Sequence, residues 1–81
     1  MTKYKVSLFG ITKDIIGSSS TEVELTDQSD VNALVENLKT KFPQLSEIKS
    51  LLVAVNSEYA DLGLVLSEKD EIALIPPVSG G

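Results

Sequence analysis

Apolar and polar residues alternate in two stretches near the N-terminus. Residues 3–8 read Lys-Tyr-Lys-Val-Ser-Leu, and residues 22–25 read Glu-Val-Glu-Leu. An alternation of period two is typical of a strand with one buried face. Gly10 can end or kink the first strand, and residues 13–20, which end in Gly and Ser, are predicted to form a turn and a loop. The two strands are therefore expected to pair as a hairpin.

A helical pattern follows the hairpin. After Asp30, apolar residues recur with the spacing of one helix face, at Val31, Leu34, Val35, Leu38 and Phe42. This spacing predicts an amphipathic helix that covers the apolar face of the strands. Asp30 is a suitable N-cap, because its carboxylate can accept hydrogen bonds from the backbone N–H groups of the first turn. Pro43 sets the end of the helix, since the residue before a proline avoids the α conformation.

Two apolar runs complete the pattern. Residues 51–55, Leu-Leu-Val-Ala-Val, predict a strand buried on both faces, and residues 71–75 predict a last strand that Pro76 ends. Residues 56–61 and 67–70 are polar and are interpreted as turns, with an irregular segment between them. This order of elements predicts an α+β fold of the ubiquitin-like β-grasp kind. It is a mixed sheet of four to five strands with one main helix across one face.

Length and composition favour a small domain that works through its surface or its ends. With 81 residues, 42% of them hydrophobic, the chain is expected to form one domain over residues 1–75, followed by a projecting tail over residues 76–81. A chain this short has a thin core with little room for an enclosed catalytic pocket. The absence of Cys and His excludes disulfides, imidazole catalysis and the usual zinc sites. We expect no bound cofactor and no metal.

The net charge limits the class of partner. Twelve acidic and seven basic side chains give a formal charge of −5, which disfavours nucleic acid because its phosphates would repel the domain. The same charge is compatible with docking on a basic protein surface. No apolar run approaches the roughly 18 residues that span a bilayer. No apolar signal segment opens the chain either, so we expect a cytoplasmic protein without membrane contact.

The C-terminal run combines a stiff spacer with a narrow tip. It consists of Pro76, Pro77, Val78, Ser79, Gly80 and Gly81. The two prolines restrict φ and lack backbone donors, so the run is expected to leave the sheet in an extended form. The two glycines have no side chains, which allows the terminus to enter a narrow channel in a partner.

The reactive group of this run is the α-carboxylate of Gly81. Its ordinary pKa of about 3.3–3.7 leaves it ionised at neutral pH. A carboxylate is a poor acyl donor until ATP converts it to an acyl-adenylate, from which a sulfur or nitrogen nucleophile displaces AMP. Gly80 and Gly81 suit this reaction because no side chain crowds the carboxylate. The chain has no Gly-x-x-x-x-Gly-Lys-[Ser/Thr] phosphate cradle, so ATP is expected to be bound and used by an activating partner.

The sequence resembles the small, sulfur-carrying subunit of molybdopterin synthase, the MoaD family of the ubiquitin-like β-grasp superfamily. The resemblance covers essentially the whole chain. It is carried by residues 9–10 (Phe-Gly), 52–56 (Leu-Val-Ala-Val-Asn), 70–73 (Asp-Glu-Ile-Ala) and, most specifically, 76–81. The family tail is typically Pro-Pro-Val-[Ser/Thr]-Gly-Gly. One departure is Lys13-Asp14, where the family usually has Arg-Glu. An ammonium group does not replace a guanidinium fork, so the contact of that arginine is not carried over.

The resemblance implies a cycle in which two partners act on Gly81. A ubiquitin-activating-like adenylyltransferase would adenylate Gly81 and convert it to a thiocarboxylate. The thiocarboxylate would then give sulfur to cyclic pyranopterin monophosphate in the large subunit of a heterotetrameric synthase. The family's docking surface is apolar, and Phe9, Tyr59 and Ile75 occupy the corresponding positions. Phe9 breaks the alternation of its strand and Tyr59 lies in a predicted polar turn, so both are expected at the surface, whereas Ile75 fits either face.

Other functions share these features. A sulfur carrier for thiamin or tRNA thiolation has the same fold and Gly-Gly end, although the Pro-Pro-Val-Ser stem favours the molybdopterin branch. A ubiquitin-like modifier would end with Gly81 in an isopeptide bond to a lysine, and a plain interaction domain would carry an inert tail. Asp61, Asp70 and Glu71 are candidate contacts to a basic partner, with solvated surface charge as the simpler interpretation.

Overall fold

The computed structural model describes residues 1–48 and 50–77, which form a five-stranded sheet, two α-helices and one 3₁₀-helix. The elements are β1 (Thr2–Leu8), α1 (Ile11–Ile16), β2 (Ser20–Leu25), α2 (Val31–Lys41), the 3₁₀-helix (Pro43–Glu47), β3 (Leu52–Val55), β4 (Glu58–Tyr59) and β5 (Ile72–Ile75). The predicted α+β class, and a sheet with one main helix across one face, are confirmed.

The strand order is β2-β1-β5-β3-β4. β1 pairs antiparallel with β2 and parallel with β5, while β3 pairs antiparallel with both β5 and β4. The sheet is therefore mixed, and β5 lies at its centre. Consequently, the chain that follows β5 leaves from the middle of the sheet and not from an edge.

The alternation within each strand separates the core from the open face of the sheet. Across β1 and β5, Val6 pairs with Ile72 and Leu8 pairs with Leu74. Residues directly opposite each other point to the same face, and all four of these side chains are buried. The same core cluster contains the apolar stripe of α2, which comprises Val31, Leu34 and Leu38. The helix therefore covers this face and leaves the other face open.

α2 begins and ends where the sequence predicts. At its start, Oδ1 of Asp30 accepts a hydrogen bond from the backbone N–H of Ala33 at 2.9 Å. At its end, the N–H of Phe42 donates to the carbonyl of Leu38 at 2.8 Å. Pro43 then starts the 3₁₀-helix, because proline is tolerated in a first helical turn but forces the preceding residue out of the α conformation.

The interpretation of residues 13–20 as a turn and a loop is confirmed for residues 17–19 and is wrong for residues 13–16, while residue 20 already belongs to β2. A short helix, α1, occupies Ile11–Ile16, between Gly10 and Gly17. Gly17 is a left-handed C-cap with φ of 84°, and its N–H donates to the carbonyl of Lys13 at 2.8 Å. A helix of six residues is too short to show a periodic apolar pattern, so the only local signal in the sequence was the glycines and serines that flank the helix.

Two details of the later strands also differ from the sequence interpretation. The strand predicted over residues 51–55 begins at Leu52, which is 47% exposed, so only residues 53–55 are buried. Tyr59, predicted in a polar turn, belongs to β4, and a strand of two residues is too short to display alternation. The predicted turn over residues 67–70 is confirmed, with the N–H of Asp70 donating to the carbonyl of Ser67 at 3.0 Å.

Candidate functional site

The open face of the sheet carries a row of small side chains that ends at an aromatic ring. The row consists of Ser7, Ala73, Ala54 and Tyr59, paired in that order across β1, β5, β3 and β4. These positions alternate with the core positions of their strands, so the row lies on the face that α2 does not cover. The small residues form a flat floor.

Three larger side chains surround this floor. Phe9, Tyr59 and Ile75 all line one shallow depression of about 410 Å³. Phe9 is 52% exposed and Tyr59 is 70% exposed, which confirms the expected exposure of both, while Ile75 is half-buried. The fold thus gathers the three residues predicted as a docking surface. These three residues, with the floor formed by Ser7, Ala54 and Ala73, are called the sheet-face surface below.

Thr12 fixes the position of Phe9. The side chain of Thr12 is fully buried, and its Oγ1 donates to the carbonyl of Phe9 at 2.6 Å. The same oxygen accepts a hydrogen bond from the N–H of Phe9 at 3.0 Å. One side chain therefore satisfies both backbone polar groups of Phe9, and the chain turns from β1 into α1. The exposed ring of Phe9 is presented on a fixed backbone, which reduces the entropy lost on binding a partner.

A tight turn fixes the position of Tyr59. Asn56 and Ser57 join β3 to β4 and have φ values of 53° and 70°, the pattern of a type I′ hairpin turn. The side chain of Asn56 ties this turn to the start of β5. Its Oδ1 accepts from the N–H of Glu71 at 3.0 Å, and its Nδ2 donates to Oδ1 of Asp70 at 3.0 Å. β4 and Tyr59 are therefore held against the centre of the sheet.

The C-terminal run starts at the edge of the sheet-face surface. β5 ends at Ile75, and the ring of Pro76 lies against Gly10, the residue that follows Phe9. Pro76 is half-buried and Pro77 is exposed. The other predicted tail residues lie outside the described residues: Val78, Ser79, Gly80 and Gly81.

This geometry suits a protein partner better than a small molecule. The depression is shallow, with a floor of small residues and apolar side chains at its rim, as in protein-binding surfaces. Within residues 1–48 and 50–77, His, Cys, Asp and Glu side chains form no group that could hold a metal ion. In the same part of the chain, no helix has the length and apolar character needed to cross a membrane.

Comparison with known proteins assigns the chain to a family. The model of the ThiS family matches residues 6–81. A molybdopterin synthase sulfur carrier subunit from Dictyostelium discoideum is 41% identical, over 98% of this chain and 96% of that protein. The chain belongs to the molybdopterin synthase sulfur carrier subunits of the ThiS family.

Several solved structures are similar to this ThiS-family chain. One is the protein–protein complex of subunits 1 and 2 of the molybdopterin-converting factor from Helicobacter pylori. Its matching chain is 26% identical, with a TM-score of 0.69, over 99% of this chain and 100% of that chain. Another is the small archaeal modifier protein 1 of Haloferax volcanii, which is 26% identical with a TM-score of 0.84, over 96% of this chain and 100% of that chain. The ubiquitin-like β-grasp architecture of the sulfur carrier is thus confirmed.

The floor of the sheet-face surface in this ThiS-family member was not predicted from the sequence. Ser7, Ala54 and Ala73 come from three strands, and only the sheet register makes them neighbours. One signal was present in the last strand. Ala73 and Ile75 alternate with the core positions of β5, so the alternation alone places Ile75 on the open face. Neither residue is charged or chemically reactive, so neither stands out as a functional group.

Proposed function

We propose that this chain carries sulfur for molybdopterin synthase on the α-carboxylate of Gly81. The position of Pro76 is the observation that carries the proposal. Pro76 follows the central strand and stands at the rim of the sheet-face surface. A partner that covers Phe9 and Ile75 is therefore placed to receive the residues that follow Pro77. The family assignment supports the same function.

The first half of the proposed cycle activates Gly81 on an adenylyltransferase partner. A carboxylate oxygen of Gly81 attacks the α-phosphorus of ATP, and pyrophosphate leaves. Hydrosulfide then attacks the acyl carbon, AMP leaves with the bonding electron pair and the sulfur loses its proton, so that Gly81 becomes a thiocarboxylate. The chain contributes the carboxylate and its presentation, and the partner contributes the ATP site. We place this reaction in the cytoplasm, where ATP is at hand for the activating partner.

The second half of the cycle takes place in the large subunit of the synthase. The thiocarboxylate sulfur of Gly81 attacks an oxygen-bearing carbon of cyclic pyranopterin monophosphate, and the C–O bond at that carbon breaks, with its electron pair leaving on the oxygen. Water then cleaves the bond between the acyl carbon and sulfur, which leaves sulfur on the pterin and returns Gly81 as a carboxylate. Two such transfers supply both sulfurs of the dithiolene, in a heterotetramer with two copies of this chain. The molybdopterin-converting factor complex of Helicobacter pylori supports a pairing with the large subunit.

Mass spectrometry of the intact chain tests the proposal. The chain is incubated with its activating enzyme, ATP and a sulfur donor, and the expected product carries one sulfur in place of one oxygen at Gly81. Addition of the large subunit and cyclic pyranopterin monophosphate should return the original mass and yield molybdopterin. No mass change with a verified activating enzyme would overturn the proposal.

A protein modifier is the second candidate function. The similarity to the small archaeal modifier protein 1 favours it, because that protein shares the fold over nearly the whole chain. Both functions pass through the same acyl-adenylate, and they differ in whether sulfur or the amine of a lysine displaces AMP. The same experiment separates them, since isopeptide formation gives adducts with the mass of a second protein.

A further inference from the structure

A second exposed apolar cluster lies on the flank of the domain, after β4. Leu62, Leu64 and Val65 are 57%, 42% and 57% exposed. Leu66, which follows them, is the side chain of this segment that enters the core. Three exposed apolar side chains within four residues make this segment a candidate contact site. Leu62, Leu64 and Val65 are called the flank cluster below.

The backbone of the flank cluster is held by the first turn of α2. The N–H groups of Val31 and Asn32, which have no partner within the helix, donate to the carbonyls of Leu64 and Leu62, each at 2.9 Å. The segment therefore caps the helix with its main chain and directs its apolar side chains to solvent. Because the backbone is already ordered, a partner that covers these side chains loses less entropy than one that orders a free loop.

The flank cluster has an acidic border. A depression of about 480 Å³ beside it is lined by Glu58, Tyr59, Asp61 and Leu64, among others. Residues 58–71 hold five of the chain's 12 acidic residues and one lysine, Lys69. Within the part of the chain that the structure describes, neither Glu58 nor Asp61 forms a salt bridge. Both carboxylates are exposed at the border of the apolar side chains and available to a cation.

Tyr59 joins the flank cluster to the sheet-face surface. Its side chain lines the depression on the sheet face and also the depression on the flank. A partner seated on the sheet face that reaches past Tyr59 meets Leu64 and the acidic border next. A second copy of this chain would oppose its own acidic border, and like charges facing each other disfavour association. The complementary occupant is a protein with an apolar centre and a basic border.

We propose that the large subunit of molybdopterin synthase extends from the sheet-face surface around β4 on to the flank cluster. Its apolar side chains cover Leu62 and Leu64, and its Lys or Arg side chains face Glu58 and Asp61. The choice of partner rests on the proposed function. The flank cluster adds affinity, and the acidic border speeds association, whereas the chemistry at Gly81 does not depend on either.

Titration calorimetry of the large subunit with variants of the whole chain tests this interface. Leu62→Ser is compared with Leu62→Met, which keeps the apolar surface. Asp61→Lys is compared with Glu47→Lys, which makes the same change in net charge at an exposed residue of the 3₁₀-helix. We expect Leu62→Ser and Asp61→Lys to raise Kd about tenfold and both controls to stay within about twofold. Added salt should weaken wild-type binding more than Asp61→Lys binding.

The outcomes separate this interface from the proposed function itself. Equal Kd values for wild type, Leu62→Ser and Asp61→Lys would overturn the interface while leaving sulfur transfer untouched. If the wild-type chain and every variant alike fail to bind the large subunit, the proposed function and the choice of partner are overturned together. The control Glu47→Lys, thiocarboxylated at Gly81, should transfer sulfur at the wild-type rate, because this exposed residue of the 3₁₀-helix lies outside the proposed interface.

Discussion

A Cβ atom placed on Gly10 would lie 3.0 Å from Cγ of Pro76, which is tighter than most Cβ contacts in proteins. Gly10 also has φ of 56° and ψ of −133°, a conformation that residues with a side chain rarely adopt. The turn after β1 can therefore lie directly against the first residue of the C-terminal run. The exit of the run from the sheet depends on a glycine near the other end of the chain.

Replacing Gly10 by Ala should lower the free energy of unfolding by about 1–3 kcal/mol, because it combines backbone strain with the contact to Pro76. Gly17 and Gly63 provide matched controls. Gly17 has φ of 84°, but among the described residues nothing beyond its chain neighbours lies within 4 Å of an added Cβ atom. Gly17→Ala should therefore cost about 1–2 kcal/mol from backbone strain alone. Gly63 has neither feature, and Gly63→Ala should be close to neutral. Urea denaturation measures all three.

The double variant Gly10→Ala with Pro76→Ala isolates the contact between these two residues. Removing the proline ring should recover part of the stability that Gly10→Ala loses, because the backbone strain remains while the clash disappears. Additive losses in the double variant would show that the two residues do not interact.

Phe9→Ala should weaken binding to the large subunit by about 1–2 kcal/mol, because the aromatic ring is an exposed anchor of the sheet-face surface. The free energy of unfolding should change by less than about 0.5 kcal/mol, since half of the side chain already faces solvent. Tyr59→Ala should behave in the same way. Calorimetry measures the binding, and thermal unfolding serves as the control for folding. A chain that no longer folds would place the ring in the core instead.

Ser57→Gly should raise the free energy of unfolding by about 0.5 kcal/mol, because Ser57 has φ of 70° in a turn that favours glycine. Asn56→Gly is the matched control in the same turn. Asn56 has φ of 53°, but its side chain bonds to Glu71 and Asp70, so its replacement should destabilise the domain. Stabilisation by both substitutions would contradict the role assigned to the Asn56 amide.

Deleting Gly81 should abolish sulfur transfer without changing the stability of the domain. Gly81 has no side chain to contribute to a core, and the core cluster of the described residues lies between Tyr4 and Leu74. The deletion moves the terminal carboxylate to Gly80 and shortens the reach of the tail by about 3.5 Å, so the carboxylate no longer meets the reacting groups of the partner. Mass spectrometry after activation and urea denaturation measure the two properties on one sample. Molybdopterin formation by the shortened chain would contradict the role of Gly81.

Asp27 should titrate below its usual pKa. Its Oδ1 accepts a hydrogen bond from Oγ1 of Thr2 at 2.5 Å and lies 3.6 Å from the N-terminal ammonium group. The hydrogen bond, and next the positive charge, lower the pKa of Asp27 from its ordinary value of 3.8. Because the folded pKa is the lower one, the stabilisation is complete above the unfolded pKa and is lost as the pH falls through the folded pKa. In an NMR titration, Thr2→Val should raise the pKa of Asp27, and an unchanged value would contradict this cause.

The local patterns of the chain were enough to predict most of its elements. The alternation over residues 3–8 and the helical stripe after Asp30 predicted β1 and α2, because burial of one face imposes the period of the element on the sequence. The chemistry assigned to Gly81 was predicted without the fold as well, since a terminal carboxylate is defined by covalent structure. α1 and β4 escaped prediction because each is too short to display a period.

The candidate site depends on pairings between distant parts of the chain. β1 lies parallel to β5 and in register with it, and this pairing places Ser7 beside Ala73 and brings Phe9 and Ile75 to one depression. The flank cluster likewise exists because carbonyls of residues 62 and 64 meet the N–H groups that open α2. Residue types and their spacing specify which side chains are buried and what the C-terminal carboxylate can do. Which distant residues become neighbours is set by the register that packs the whole core, and no local stretch contains that information.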